Sequence, residues 1–353
     1  MKKISLVILI FAILIFLKDN IFFQPIKKNP SKVKEKVTKE FLKQKVVNPD
    51  PYGIRDIEIE YLRSIKFNKN LQLTIEEELD QRPLYKRYIA TYNSEGNKIY
   101  GLLTIPKDLT INYPAIVFNH GYIPPSQYKT TEKYVAYVDY LARNNFIVFK
   151  IDFTGWGKSE GVPEGSYFSP NITKDIINAY NGLNNFKNVK KDAIGIWGHS
   201  MSGNAVLRAL EVNNNIKAGV IWAGAVYSYF DLFDYGIDDV SYDRAETSRR
   251  NSKQSQLREI RDILKLDDKE SKIVKKISLT QNIDYLKSPL QIHHSINDFV
   301  VRVDYSQKLV EVLKDKNKEY EYFEYPGGGH NIAAPYLQQA MQRTVEFFNK
   351  YLK

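Results

Sequence analysis

The sequence predicts an α/β fold: a mostly parallel, doubly wound sheet with helices on both faces. From residue 114 onward, short apolar runs of strand length alternate with stretches of helical spacing, the pattern of strands buried on both sides. A hairpin-like pair of runs comes first. One later run passes directly through Gly198-His199-Ser200-Met201-Ser202-Gly203 into a helical stretch. No repeat of fixed period is present, which excludes solenoids and propellers.

Residues 85–92 and 98–105 read as antiparallel strands at one sheet edge, joined by the glycine-containing turn Asn93-Ser94-Glu95-Gly96. Strands are then expected at 114–119 (PAIVFN), 146–151 (FIVFKI), 193–197 (AIGIW) and 218–223 (AGVIWA). Helical spacing separates them at 131–143, 171–183 and 204–212. Strands at 289–293 and 319–325 and a closing helix at 335–352 complete the alternation. One stretch interrupts it: residues from about 228 to 282 are polar and charged, with helical spacing over 255–266 and no strand run. That is too long for a bare loop, so a small helical lid is expected over the carboxyl ends of the strands, where open sheets bind ligands.

Composition narrows the function. Of 353 residues, 43% are hydrophobic and 26% charged, which excludes a disordered, collagen-like or multi-span membrane protein. There is no cysteine, so disulfides, thiolate catalysis, zinc ribbons and iron–sulfur clusters are excluded. The net charge of +10 is concentrated at one end. Residues 1–45 hold eleven lysines and three acids, net +8, while the remainder holds 40 basic and 38 acidic side chains, net +2. A nucleic-acid reader carries its basic patch on the folded body, so no nucleic-acid partner is expected.

Lys2 and Lys3 precede an apolar run over 4–17 broken only by Ser5. It is short for a span of ~20 residues, although Ile21, Phe22 and Phe23 extend it past Lys18-Asp19-Asn20. A signal-peptide core has the same form, but no small-x-small cleavage site follows. We read residues 1–23 as an uncleaved membrane anchor, with a cleaved signal as the alternative. Residues 24–48 read as a Lys-rich tether, either held near anionic headgroups or a plain linker. Residues 49–353 read as the catalytic domain. Lysines at 27, 28, 32, 34 and 36 outweigh Lys2 and Lys3 and oppose export of the body. Signal-like architecture supports export, and an extracytoplasmic catalytic domain is the expectation taken.

The chemistry centres on Gly198-x-Ser200-x-Ser202-Gly203, where a strand runs straight into a helix. This is the nucleophile elbow, a strained turn that lifts a hydroxyl above the sheet. Small residues at 198, 202 and 203 let the strand and helix backbones approach, and the helix N-terminus favours developing negative charge. Gly157-Lys158-Ser159-Glu160-Gly161 matches the G-x-S-x-G spacing more strictly, but Val162-Pro163-Glu164-Gly165 follows where a helix is required. The same stretch fails as a phosphate loop, because the first glycine of that motif would fall on Asp152.

A serine nucleophile needs an acid and a histidine after it in the chain. His120 and His199 precede Ser200, and His293 and His294 lie at the end of the predicted strand, over 289–294, where packing or a backbone hydrogen bond accounts for them. His330, in Pro326-Gly327-Gly328-Gly329-His330 after the last strand, is the expected base. Asp298, on the loop after 289–293, is the expected acid, whereas Asp304 falls into the next helix. For the oxyanion hole, the backbone N–H of Met201 is one expected donor. That of Tyr122, in Phe118-Asn119-His120-Gly121-Tyr122, is the other.

From about residue 85 to 353 the chain resembles the α/β-hydrolase superfamily. Within it, the chain most resembles prolyl-oligopeptidase-family catalytic domains and related acetyl-esterase and dienelactone-type hydrolases. The resemblance rests on His120-Gly121, Asp152-x-x-Gly155-x-Gly157-x-Ser159-x-Gly161, Gly198-x-Ser200, Asp298 and His330. It implies the α/β-hydrolase fold, an acyl-enzyme mechanism without metal or cofactor, and a structural role for the Asp152 loop. A serine peptidase acting on small peptides is the first implied function and a carboxylesterase the alternative. Two departures keep the alternative open. His120 stands where these peptidases commonly have a tyrosine that helps hold the oxyanion, and residues before 85 are not expected to contain their gating propeller. A catalytically silent, membrane-tethered binding protein on the same fold is the remaining rival.

Overall fold

The computed structural model describes residues 55–237 and 272–353, all within a unit running from Tyr52 to Lys353. Among them nine strands form one sheet: β1 (Thr74–Glu78), β2 (Tyr85–Ser94), β3 (Asn97–Pro106), β4 (Tyr113–Asn119), β5 (Ile147–Ile151), β6 (Val189–His199), β7 (Ala218–Trp222), β8 (Leu290–Ser295) and β9 (Tyr320–Tyr325). Their order is β1-β2-β3-β5-β4-β6-β7-β8-β9. The first three pair antiparallel, as do β3 and β5, and the pairs from β4–β5 to β8–β9 are parallel.

Alternation within the central strands explains why both faces are covered. Ile116, Phe118, Trp197, Val220 and Trp222 pack with α2 (Val135–Arg143) and α8 (Leu337–Leu352), whose Val138, Leu141, Met341 and Phe348 share their cluster. The intervening Val117, Ile194, Ile196 and Ile221 pack with Ile176 of α3 (Asn171–Asn184), Val206 of α4 (Met201–Val212) and Leu309 of α7 (Asp304–Asp315). The expected α/β-hydrolase architecture is therefore present.

Local differences from the sequence reading have physical causes. Ser94 pairs with Asn97, so the hairpin turn tightens to Glu95 and Gly96, both at positive φ, as a two-residue type I′ connection requires. The first strand has no alternation to read, because every residue in its TIEEE run is exposed. Its ladder to β2 and the Glu76 contacts with Thr91 and Lys98 hold it at the edge. The short helix α1 (Ile59–Ser64) buries Ile59 and Leu62, too brief a pattern to stand out. Helix α2 starts four residues later than the spacing predicts, because Tyr134 adopts a left-handed φ of 61°.

Of the expected lid over about 228–282, the described part comprises α5 (Asp231–Tyr235), α6 (Lys272–Ile277) and a 3-10 turn at Leu279–Gln281, with a second 3-10 turn at Ile283–Tyr285 just beyond it. Residues 238–271, like the anchor 1–23 and the tether 24–48, lie outside the described residues. Among the described residues, no helix is long and apolar enough to cross a membrane.

Strand order locates the site. After β4 the chain builds β5 on one side and then returns to β4's other side as β6. The loops leaving β4 and β6 diverge at that switch point and open a crevice at their carboxyl ends. They are 119–122 and the turn at Ser200.

Candidate active site

Ser200 sits between the last residue of β6 and the first of α4 with φ 54° and ψ −121°, a region costly for a residue with a side chain, by about 1–3 kcal/mol. The surroundings hold it there. Its N–H donates to the Trp222 carbonyl at 2.9 Å, and its carbonyl accepts from the Gly203 N–H at 2.8 Å. A Cβ on Gly198 would lie 2.6 Å from Val206 Cγ2 and 2.9 Å from the Ser202 carbonyl oxygen, so only glycine admits helix α4 so close to the strand. Met201, at the first helical position, has an N–H with no acceptor inside the helix.

The loop after β4 closes on this turn. A Cβ on Gly121 would meet Tyr134 Oη at 2.8 Å, His199 Nδ1 at 3.0 Å and Ser200 Cβ at 3.1 Å. Glycine thus lets the main chain pass directly beside the serine. The Ser202 hydroxyl donates to the His120 carbonyl, tying α4 to the same loop. The His120 ring is buried, 4.3 Å from the Tyr128 ring and 4.4 Å from Phe153, and burial draws its pKa down to about 3.

Asp298 lies just beyond β8 and is buried. Its Oδ1 accepts the Val300 and Val301 N–H groups, each at 2.9 Å. Its Oδ2 is 2.8 Å from His330 Nδ1 and 3.3 Å from His294 Nε2. Burial pushes the carboxyl pKa up, but the hydrogen bonds from His294 and His330, the His330 charge and the Val301 N–H outweigh it. The group is held well below the usual carboxylate range. An ionised carboxylate only accepts, so a His330 proton sits on Nδ1 facing it, and in the neutral imidazole Nε2 is the nitrogen that carries the lone pair.

His330 occupies the 3-10 turn Gly329–Asn331 after β9. Ser295 Oγ donates to the Gly327 carbonyl at 2.6 Å, and Asn297 Oδ1 accepts the Gly329 N–H at 3.0 Å. These bonds lace the acid loop to the histidine loop. The His330 and His199 ring centroids are 4.6 Å apart, and His199 Nε2 is 2.9 Å from the His330 carbonyl oxygen. The fold thus brings Asp298 and His330 into direct contact and sets them beside the Ser200 turn. Among the described residues, no hydrogen bond joins Ser200 Oγ to His330; such contacts commonly tighten only in the substrate complex.

The alternatives weighed from sequence sit elsewhere. Ser159 Oγ accepts the Tyr100 N–H at 2.9 Å, and no helix starts directly after it, the next being α3 at Asn171. Asp304 pairs at the surface with Arg302. Asp152 accepts hydrogen bonds from the Tyr128 and Thr130 hydroxyls and braces its own loop. His293 is packed between Tyr325 Oη and Gln291 Oε1, at 2.8 and 2.7 Å.

His294 exceeds the sequence reading. Its Nε2 is also 2.9 Å from the Val301 carbonyl, another pure acceptor, so Nε2–H is shared between that carbonyl and Asp298. Its Nδ1 then accepts from the Ser306 hydroxyl at 2.7 Å. The only signal in the sequence is its position four residues before Asp298, just inside the strand end.

Comparisons with known proteins agree with this fold. The sequence model of the prolyl oligopeptidase family matches residues 132–353. Human Protein ABHD12B is 24% identical over 223 residues, 62% of this chain and 56% of that protein, so the chain spans about half the length of this curated relative. Among solved structures, acetyl xylan esterase 1 from Thermoanaerobacterium sp. superposes with a TM-score of 0.59 at 17% identity, over 84% of this chain and 93% of that one. Acylaminoacyl peptidase from Pyrococcus horikoshii gives 0.57 at 21% identity, over 76% and 42%. The molecule has the α/β-hydrolase fold. It belongs to the prolyl oligopeptidase family.

Proposed function

We propose that Ser200, His330 and Asp298 are the nucleophile, base and acid of this hydrolase. The observation that carries the reading is the 2.8 Å His330 Nδ1–Asp298 Oδ2 contact beside a serine held in the elbow conformation. Ser200 Oγ attacks the carbonyl carbon, and His330 Nε2 takes the hydroxyl proton. Asp298 keeps Nδ1 protonated and stabilises the imidazolium. His330 then protonates the leaving group, and water, deprotonated by the same nitrogen, releases the acyl-enzyme. The Met201 and Tyr122 N–H groups receive the oxyanion, each worth about 3 kcal/mol in the transition state. The Gly121 N–H is engaged by Tyr134.

A peptide-like acyl bond is the substrate reading that family membership favours. A carboxylic ester is the second reading, favoured by the superposition over 93% of the acetyl xylan esterase chain. Both pass through one tetrahedral intermediate, so kcat/KM must separate them. Aminoacyl arylamides and short p-nitrophenyl esters are the probes. The peptidase reading predicts arylamide turnover that truncating the peptide part lowers in kcat. Ester turnover with no measurable arylamide cleavage transfers the assignment to a carboxylesterase, and turnover of neither class revives the silent binding protein.

We also propose that residues 1–23 attach the enzyme to a membrane with the catalytic unit on the extracytoplasmic side. The apolar run 4–17 supports the attachment, and its signal-like architecture behind Lys2 and Lys3 supports the extracytoplasmic side against the opposing lysines at 27, 28, 32, 34 and 36. High salt is expected to leave the full chain on membranes, because lipid burial rather than screened charge holds it. A chain lacking residues 1–45 is expected to be soluble and active. Release by salt alone would assign the attachment to the Lys-rich tether instead.

A further inference from the structure

We propose that Tyr134 and His199 are positioning residues that hold the oxyanion loop and the histidine loop at a fixed separation through one directed chain of hydrogen bonds. The inference rests on the triad reading above.

The chain has four members. The Gly121 N–H donates to Tyr134 Oη at 2.8 Å, Tyr134 Oη lies 2.7 Å from His199 Nδ1, and His199 Nε2 lies 2.9 Å from the His330 carbonyl oxygen. Its direction is fixed by what each end can do. A backbone carbonyl only accepts, so His199 carries its proton on Nε2 and donates to His330. Nδ1 is then the bare nitrogen and accepts from the Tyr134 hydroxyl, whose oxygen in turn receives the Gly121 N–H. Burial and the nearby His330 keep His199 neutral, with its pKa drawn down to about 3, so both nitrogens keep these roles across the working range.

The two anchors matter more than the middle. Gly121 immediately precedes Tyr122, the proposed oxyanion donor. The His330 carbonyl belongs to the base itself, so its backbone is fixed while the imidazole remains available to Ser200. A second link from the same helix start reinforces the hold, since Tyr137 Oη donates to the Asn331 carbonyl at 2.8 Å.

A separate observation supports a functional demand on Tyr134. It sits at φ 61° immediately before α2, a conformation costing about 1–3 kcal/mol for a residue of this kind. A helix starting at 131, as the spacing predicts, would not contain that conformation. The residue holds the strained backbone while its hydroxyl bridges two loops that carry opposite halves of the proposed chemistry.

The test uses the full chain and p-nitrophenyl acetate, with fluorophosphonate labelling as a second readout. Tyr134→Phe removes only the hydroxyl. It is expected to lower kcat ten- to a hundredfold and slow labelling per folded molecule, with KM within about twofold. His199→Gln retains an N–H near the Nε2 position for the His330 carbonyl, and is expected to keep at least fivefold more kcat than His199→Phe. Unchanged kcat in Tyr134→Phe, or equal kcat in His199→Gln and His199→Phe, overturns the inference. So does a kcat loss that disappears when activity is divided by the folded fraction. Failure of the wild-type chain to label at Ser200 would instead remove the triad reading itself.

Discussion

Ser200→Ala is expected to lower kcat on the order of 10⁶-fold and to abolish fluorophosphonate labelling, while Ser159→Ala leaves both largely intact. The contrast is structural. Ser200 sits in a strained turn between a parallel strand and a helix N-terminus, beside the Gly121 main chain. Ser159 also lies in a glycine-x-serine-x-glycine match, but its hydroxyl accepts the Tyr100 N–H and pins the Asp152 loop to β3. Ser200→Ala should fold normally, since the hydroxyl it removes makes no hydrogen bond among the described residues. Thermal unfolding coincident with the wild type, together with lost turnover, is the expected pair of results.

Asp298→Asn is expected to lower kcat by about 10⁴-fold, with Asp304→Asn as an unaffected control because Asp304 serves a surface ion pair. The asparagine oxygen can still accept from Val300 and Val301, which places its NH2 group against His330 Nδ1. That nitrogen must then accept, the proton moves to Nε2, and the imidazole faces Ser200 with no lone pair. The same substitution turns a donor toward His294 Nε2–H. Some stability is therefore lost at neutral pH as well.

The pH dependence follows from the depressed Asp298 pKa. Its stabilising contribution is present above the ordinary carboxylate value of about 3.9 and is lost as the pH falls toward the lower folded value. The melting-temperature gap between wild type and Asp298→Asn should narrow on acidification below about pH 4. A gap that widens there would mean that the carboxyl is not held ionised by its neighbours.

Legibility in the sequence followed the range of the interactions. The strands around Phe118, Trp197 and Trp222 could be read because both their faces are buried, which leaves short apolar runs. Ser200 could be read because the elbow needs small residues within five positions of one another. Asp298 and His330 required only chain order and the ends of two strands. Edge strand β1 was not visible, since its residues face water on both sides and only ladder bonds and the Glu76 contacts with Thr91 and Lys98 place it. His294 and Tyr134 were hidden for a different reason. His294 looked like a packed strand histidine, and its contact with Asp298 depends on how the chain turns after β8. Tyr134 looked like an early helical residue, but its hydroxyl meets Gly121 and His199, thirteen and 65 positions away.

Peptide mapping of the intact protein after fluorophosphonate treatment tests the central assignment most directly. The account predicts one adduct per chain, carried by the peptide containing Ser200, and its loss in Ser200→Ala. An adduct on Ser159 or on any other residue, with Ser200 unmodified, would contradict it.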